Sequence, residues 1–273
     1  MEYINELYQR ITAFLSILDA KEYPETYAYL SCLINEEEEI EKTPYEIASD
    51  LIELDKPEFF SQIMIDFITE LYEEEIENGN ADAINDLGSH YYAGRRGFPQ
   101  SFSDAVELYH QAAMTGSRQA QENLGYCYYY GRDMERDYEK AFHYFALGAF
   151  DGHLISLYKI GDMYLNGYYV EKNEKEAFHI YMRCLDTMTD EAAELAAGPV
   201  YLRLGKMFLY GIGTDTDLKA ALICYQKAES YLYDMVRNGD AMYLKSMDAA
   251  IEGQRKARAK LNELLSGESW GWD

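Results

Sequence analysis

The sequence predicts an all-α fold, a solenoid of helix-turn-helix repeats, from three observations. An eight-residue box recurs four times with the order Leu or Ile, Gly, two free positions, Tyr or Phe, two free positions, Gly. An Ala and an aromatic residue follow each box four positions apart, which places both on one face of a helix. The first glycines of the boxes are 37, 36 and 44 residues apart, a period typical of solenoids. The boxes span residues 87–94, 124–131, 160–167 and 204–211.

Each box predicts a first helix, helix A, that ends at the second glycine of the box, since glycine commonly terminates helices. The first glycine lies inside helix A, where it costs about 1 kcal/mol relative to alanine. A cost that recurs in every repeat predicts a close approach of helix A to a second helix, with an aromatic ring covering the small Ala of the other helix. These internal glycines are Gly88, Gly125, Gly161 and Gly205.

A second helix, helix B, is predicted to begin four residues before the Ala that follows each box. The residue there is always a preferred N-cap, whose side chain satisfies free backbone N–H groups at the helix start. The four predicted caps are Ser101, Asp137, Asn173 and Asp217. Ser101 with Asp104 and Asn173 with Glu176 also have the spacing of a capping box.

The flanking segments predict a division into residues 1–57, an acidic helical N-terminal cap, residues 58–240, the repeat solenoid, and residues 241–273, a C-terminal capping helix and tail. Helices are expected over 2–20 and 24–35, and helix starts at 43–46 and 55–58 from capping residues and an early proline. Residues 58–78 resemble an isolated helix B. Residues 240–265 predict one amphipathic helix or a pair, with basic residues on a charged outer face: Arg255, Lys256, Arg258 and Lys260.

The LGxxYxxG-type and AxxxYxxA-type boxes resemble the Sel-one-like repeat family over roughly residues 81 to 240. The resemblance implies a right-handed α-α superhelix in which helix A lines the concave side, and the role of a bacterial adaptor protein. The third repeat departs from the pattern, since it continues through LDTMTDEAAELAAGP. This insertion accounts for the eight extra residues in the 44-residue spacing, about two helical turns.

Charge restricts the partners that the protein is expected to bind. The formal net charge is −25, of which residues 1–80 contribute −17 with 4 basic and 21 acidic residues. Such a surface disfavours nucleic acid and anionic membranes and favours a basic protein, although acidity also serves solubility. No apolar run reaches the length of a membrane span, and the acidic first residues do not resemble a signal peptide.

The cysteines predict neither a disulfide framework nor a structural zinc site, because they occupy different positions of different repeats and form no CxxC. Free buried thiols in a reducing cytoplasm are the expected state. The four residues are Cys32, Cys127, Cys184 and Cys224.

No catalytic residue, metal site or cofactor is predicted. Ser156 and Lys159 match the SxxK of penicillin-interacting serine enzymes, but Ser156 takes a repeat position held elsewhere by a packing Ala, and no SDN or KTG follows. Penicillin binding, which the resemblance brings in from cysteine-rich relatives, is not expected because their paired cysteines are missing. His143 and His179 share a repeat position and would lie about 10 Å apart, too far to share a metal ion.

The sequence predicts a binding surface on the face of helix A opposite to its packing face. Positions one before, two after and six after the Leu or Ile of the box form an outward stripe, and their residue types vary between repeats as recognition requires. This helix-A stripe consists of Asn123, Tyr126, Tyr130, Lys159, Asp162, Asn166, Arg203, Lys206 and Tyr210. The function predicted is a scaffold or adaptor that binds a partner protein through the concave face of the repeats. An acidic immunity or inhibitor protein that neutralises a basic toxin is the alternative, and a hydrolase of the penicillin-binding type is the third interpretation.

Overall fold

A computed structural model describes residues 2–35, 41–55, 59–238 and 241–267. Within these ranges the chain forms thirteen α-helices and one 3-10 turn and contains no strand, so the all-α prediction is confirmed. Among the described residues, no helix is both long enough and apolar enough to cross a membrane. The helices are α1 (Glu2–Leu15), α2 (Pro24–Asn35), α3 (Pro44–Glu53), α4 (Gln62–Glu77), α5 (Ala81–Ala93), α6 (Phe102–Met114), α7 (Arg118–Tyr130), α8 (Tyr138–Phe150), α9 (Leu154–Asn166), α10 (Glu174–Asp186), α11 (Asp190–Tyr210), α12 (Leu218–Arg237) and α13 (Leu244–Gly267).

The chain divides into two compact bodies, an N-terminal body of Met1–Arg136 and a C-terminal body of Asp137–Asp273. Helices α5, α7, α9 and α11 carry the four boxes and are the A helices of repeats 1 to 4. Helices α6, α8, α10 and α12 are the corresponding B helices. The predicted pairs of helices are therefore present, and the division into an N-terminal cap of residues 1–57, a solenoid of residues 58–240 and a C-terminal segment of residues 241–273 remains a prediction.

Four helices precede the first repeat in the N-terminal body and contribute to its hydrophobic core. Phe14 of α1 stacks on Phe67 of α4 with ring centroids 3.9 Å apart. The buried Tyr23 accepts a hydrogen bond through its hydroxyl from the backbone N–H of Ser61 at 2.7 Å. This bond fixes the start of α4, because Ser61 is the N-cap of that helix.

The predicted boundaries of these helices are partly correct. The capping box at Thr43 is present, since its side chain accepts from the N–H of Glu46 and the Glu46 carboxylate accepts from the N–H of Thr43. Helix α1 ends at Leu15, before the predicted residue 20. The N–H groups of residues 16–18 still donate to carbonyls of residues 12–14, and those of residues 21–23 donate to the Asp19 carboxylate or carbonyl in a turn. Part of the predicted helix start at 55–58 lies outside the described residues, and α4 begins at residue 62.

The turn from helix A to helix B is built in the same way in repeats 1, 3 and 4. The second glycine of each box adopts a left-handed conformation with φ between 58° and 72°, a common way to end a helix. The N–H of the cap residue then donates to the carbonyl of the box aromatic at 2.9 to 3.0 Å. All four predicted N-caps are confirmed by side-chain hydrogen bonds to backbone N–H groups: Ser101, Asp137, Asn173 and Asp217.

The internal glycines allow helix A to approach helix B, as predicted, in three repeats. A Cβ on Gly88, Gly161 or Gly205 would lie 3.0, 2.7 or 2.9 Å from a ring carbon. Each of these rings belongs to the helix-B tyrosine of the same repeat: Tyr109, Tyr181 and Tyr225. A Cβ at Gly161 or Gly205 would displace the ring, and one at Gly88 would be tightly packed against it, so close packing of the two helices favours glycine and offsets its propensity cost.

The fourth repeat is lengthened at the start of its helix A. Helix α11 has 21 residues, against 13 in α9, which accounts for the predicted two extra turns. Helix α12 is also long, at 20 residues, and a Cβ on Gly198 would lie 2.9 Å from Leu232 of α12. The extra turns of α11 are thus packed against the extra turns of α12.

The C-terminal segment forms one continuous helix, α13, so the alternative of a helix pair is not observed. It packs on α12 and α11, and its Gly253 is so close to Tyr225 that a Cβ there would lie 2.4 Å from the ring. The ring of Tyr225 is therefore held between Gly205 of α11 and Gly253 of α13.

Candidate functional site

The helix-A stripe is only partly exposed. Tyr130 and Tyr210 are 40% and 49% exposed, and Asn166 and Lys206 are also exposed. Asn123, Tyr126 and Arg203 are half-buried. Lys159 and Asp162 are only 4% and 6% exposed, so the expectation that every stripe position points outward is wrong for these two residues.

A polar network between α9 and α11 explains why Asp162 is buried. Arg203 donates from Nε to Oδ1 of Asp162 at 2.5 Å and from Nη2 to Oδ2 at 2.6 Å. The buried Tyr181 hydroxyl donates to the same Oδ1 at 2.7 Å, and Nζ of Lys159 lies 3.9 Å from Oδ2. The carboxylate is thus surrounded by donors, as a buried charge requires.

The position of Arg203 is fixed from three directions. Besides its bidentate contact with Asp162, it donates from Nη1 to the carbonyl of Pro199 at 2.8 Å and lies 4.8 Å from the ring centroid of Tyr158. Burial tends to raise the pKa of Asp162, but the charge and hydrogen bonds of Arg203, with Lys159 and Tyr181, outweigh it and lower that pKa below its ordinary value of 3.8. Asp162 is therefore ionised at neutral pH and serves to orient Arg203.

The part of the stripe in the N-terminal body also makes contacts within the chain. Nδ2 of Asn123 donates to Oδ1 of the buried Asn85, on the preceding helix A, at 3.0 Å. The rings of Tyr126 and Tyr130 stack with centroids 6.1 Å apart, and the Arg132 guanidinium lies 5.8 Å from the Tyr130 ring centroid. Two tyrosines and an arginine thus form an aromatic and cationic patch at the end of α7.

The box tyrosine of the second repeat, Tyr128, is part of the core. Tyr128 is 9% exposed, and its hydroxyl lies 3.3 Å from Nε2 of His110 on α6. It therefore packs inside the N-terminal body, in contrast to Tyr130 two residues later, which is exposed.

A groove in the C-terminal body brings three stripe residues together. Its volume is about 580 Å³, and Asn166, Arg203 and Lys206 line it with Lys172 and Glu174. Its apolar surface comes from Leu165, Leu202, Met207, Ile212 and Tyr225. Helix α13 closes one side with Ser246 and Ala249, a contribution that the repeat pattern did not reveal because α13 carries no box.

A second groove, of about 500 Å³, lies between α1 and α4 in the N-terminal body. Arg10 forms an ion pair with Glu74 in it. The groove is lined by Glu6, Arg10, Glu70, Glu73, Glu74, Glu77 and Asn78. Its charge is therefore strongly negative, in agreement with the acidity expected of the first eighty residues.

The positions of Ser156, His143 and His179 do not favour catalysis or metal binding. Ser156 is fully buried on α9, so its hydroxyl has no access to a substrate. His143 and His179 are exposed, and no cluster of three metal-ligating side chains occurs in the described ranges. None of the four cysteines forms a disulfide with a described residue, and burial raises the pKa of Cys127 and Cys184 to about 12.

A comparison with protein families matches the Sel1 repeat to residues 81–117, 118–153, 154–181 and 199–230. The first two matches span complete pairs of helices A and B, and the last two cover most of their pairs, ending inside α10 and α12 and leaving out the extra turns of α11. The chain belongs to the Sel1 repeat family. Sel1 repeats generally mediate protein-protein interactions, and the family is a non-catalytic scaffold family.

Two curated relatives match this chain over part of their length. The chain is 28% identical over 130 residues to human protein sel-1 homolog 2, a match that covers 48% of this chain and 19% of that protein. It is 30% identical over 108 residues to the ERAD-associated E3 ubiquitin-protein ligase component HRD3B of Arabidopsis thaliana, with 40% and 17% covered. The chain therefore spans about a fifth of the length of these relatives.

Two solved structures share the fold. A Sel1 repeat protein from Oxalobacter formigenes superimposes with a TM-score of 0.56 at 21% identity, covering 75% of this chain and 79% of that one. The antigen c5321 of uropathogenic Escherichia coli, described as displaying an SLR fold, gives 0.55 at 20% identity and covers 80% and 45%. These matches confirm the predicted solenoid class of helix-turn-helix repeats.

Proposed function

We propose that this Sel1 repeat protein is an adaptor that binds a partner protein through the exposed part of the helix-A stripe. The observation that supports the proposal is the groove in the C-terminal body, where Asn166, Arg203 and Lys206 converge from two A helices. Polar and charged groups at the edge of an apolar surface are the usual composition of a binding site.

The buried stripe residues support this function indirectly. Asp162 fixes the Arg203 side chain in one conformation, so less conformational entropy is lost when a partner contacts it. Tyrosine and arginine are also the residue types most often found as binding anchors, and Tyr130 and Tyr210 occupy equivalent positions of two repeats.

The proposal is tested by capturing partners from the native host and measuring their affinity by calorimetry. The variant Tyr126→Ala, Tyr130→Ala, Tyr210→Ala is expected to weaken binding at least tenfold, which corresponds to about 1.4 kcal/mol. A matched control replaces three exposed tyrosines outside the stripe, Tyr8, Tyr169 and Tyr233, by alanine and is expected to leave the affinity unchanged. A folded stripe variant with wild-type affinity would contradict the proposal.

The acidic groove of the N-terminal body favours a second candidate function, the neutralisation of a basic protein toxin. Five glutamates and one arginine line it, so a cationic partner would be attracted and its association would depend steeply on salt. In that case the variant Glu70→Gln, Glu73→Gln weakens binding and the stripe variant does not. The lack of a disulfide among the four cysteines further supports a reducing compartment such as the cytoplasm of a bacterial cell for either function.

A further inference from the structure

We propose that the groove between α9, α11 and α13 binds an extended segment of the partner in which carboxylates alternate with apolar side chains. This inference rests on the proposed adaptor function and adds to it the chemistry of the bound segment. The groove lies entirely within the C-terminal body and is defined by its polar and apolar lining residues.

The charge of the groove is opposite to that of the chain. The chain has 49 acidic and only 24 basic residues, yet the groove is lined by three basic residues, Lys172, Arg203 and Lys206, and one acidic residue, Glu174. Complementary potentials select partners and orient them, so this groove disfavours a basic segment and favours an acidic one.

Lys206 is the cation most available to a ligand. Nζ of Lys172 lies 2.8 Å from Oε1 of Glu174, and Arg203 forms an ion pair with Asp162. Lys206 is exposed, and it forms no ion pair with any of the described residues. A carboxylate of the partner therefore meets an ammonium group that is not paired with any carboxylate in the described part of the chain.

The apolar surface of the groove accounts for the apolar side chains of the proposed segment. Met207 and Tyr225 are buried beneath the groove, and Leu165, Leu202 and Ile212 are half-buried around it. Successive side chains of an extended peptide point in opposite directions, so alternate residues contact this surface while those between reach the basic rim. The volume of about 580 Å³ is within the usual range of ligand sites, about 300 to 1,000 Å³.

The wall formed by α13 is packed tightly against α12. Gly253 lies directly against the Tyr225 ring, and Nε2 of Gln254 donates to Oε2 of Glu229 at 2.5 Å and to the carbonyl of Tyr225 at 3.4 Å. The groove is thus formed before a ligand arrives, which favours binding of a short segment because little ordering is needed.

Fluorescence anisotropy with three labelled octapeptides tests the inference on the full chain. The peptides are DLEFDLEL, its neutral analogue NLQFNLQL and its basic analogue KLRFKLRL. The acidic peptide is expected to bind at least tenfold more tightly than the other two, and Lys206→Glu is expected to weaken it about tenfold. The control Lys219→Glu makes the same change of charge on the exposed face of α12, outside the groove, and is expected to have a much smaller effect.

Three results would overturn the inference. They are equal binding of the three peptides, equal effects of Lys206→Glu and Lys219→Glu, and no binding of the acidic peptide up to about 1 mM, the limit of weak affinity. Sedimentation at increasing concentration provides a further check, because a dimer that Lys206→Glu dissociates would identify a second copy as the occupant. If the peptides fail while the tyrosine variant still loses its captured partner, only the inference on this groove is wrong and the adaptor function stands.

Discussion

Replacement of Asp162 by asparagine is expected to destabilise the C-terminal body, since it removes the charge that compensates Arg203 and Lys159. Loss of one partner from a buried ion pair typically costs about 3 to 5 kcal/mol. The Arg203 side chain is 24% exposed and can be partly hydrated once the carboxylate is gone. The loss in free energy of unfolding is therefore expected near the lower limit, about 3 kcal/mol.

Hydrogen exchange read by mass spectrometry measures this cost locally, because helical repeats open in part rather than all at once. Exchange in α9 and α11 is expected to become about a hundredfold faster, the equivalent of about 3 kcal/mol. The control Glu252→Gln breaks an exposed pair with Arg255 and is expected to leave exchange unchanged. An effect of Asp162→Asn no larger than that of the control would refute the role of the pair.

The pH dependence of the stability difference between the wild type and Asp162→Asn provides an independent check. Because the folded pKa of Asp162 is lowered, its contribution is fully present above the unfolded pKa and is lost as pH falls through the folded value. The difference in free energy of unfolding between the wild type and Asp162→Asn, measured by urea denaturation, is therefore expected to be constant above about pH 5 and to shrink below pH 4.

Three further outcomes are expected. Gly205→Ala is expected to destabilise the protein by about 1 to 3 kcal/mol in urea denaturation despite the better helix propensity of Ala, and adding Tyr225→Leu is expected to recover part of this loss. Burial and the nearby Arg96 lower the pKa of His90 to about 4, so stability is expected to fall by about 3 kcal/mol from pH 6.5 to 4, a loss that His90→Phe abolishes. With a thiol reagent, exposed Cys32 is expected to react in the native protein and the three buried cysteines only after denaturation; fewer than four reactive thiols in the denatured, unreduced chain would contradict the free state.

The repeat architecture was predictable because its signals are local. A cap such as Ser101 and a left-handed glycine such as Gly94 act within a few residues, so each helix boundary is encoded where it occurs. The end of α1 was missed because the turn at Asp19 interrupts a run that still has helical periodicity.

The site was less predictable because its contacts are distant in the sequence. Asp162 and Arg203 are separated by 41 residues, and a pattern within one helix does not show that they meet. Opposite charges at stripe positions of successive repeats were the available signal, and they point to pairing within the chain rather than to a partner. The wall of the groove was missed for a related reason, since Gly253 of α13 contacts Tyr225 without belonging to any box.

The Asp162–Arg203 pair also constrains how this gene can change in length. In a solenoid each repeat contacts only its neighbours, so identical repeats could be added or removed while each interface is replaced by an equivalent one. Here the third and fourth repeats are marked by complementary buried charges, and loss of either would leave a charge without its counterpart. A single ion pair therefore favours the retention of these two repeats next to each other and in this order.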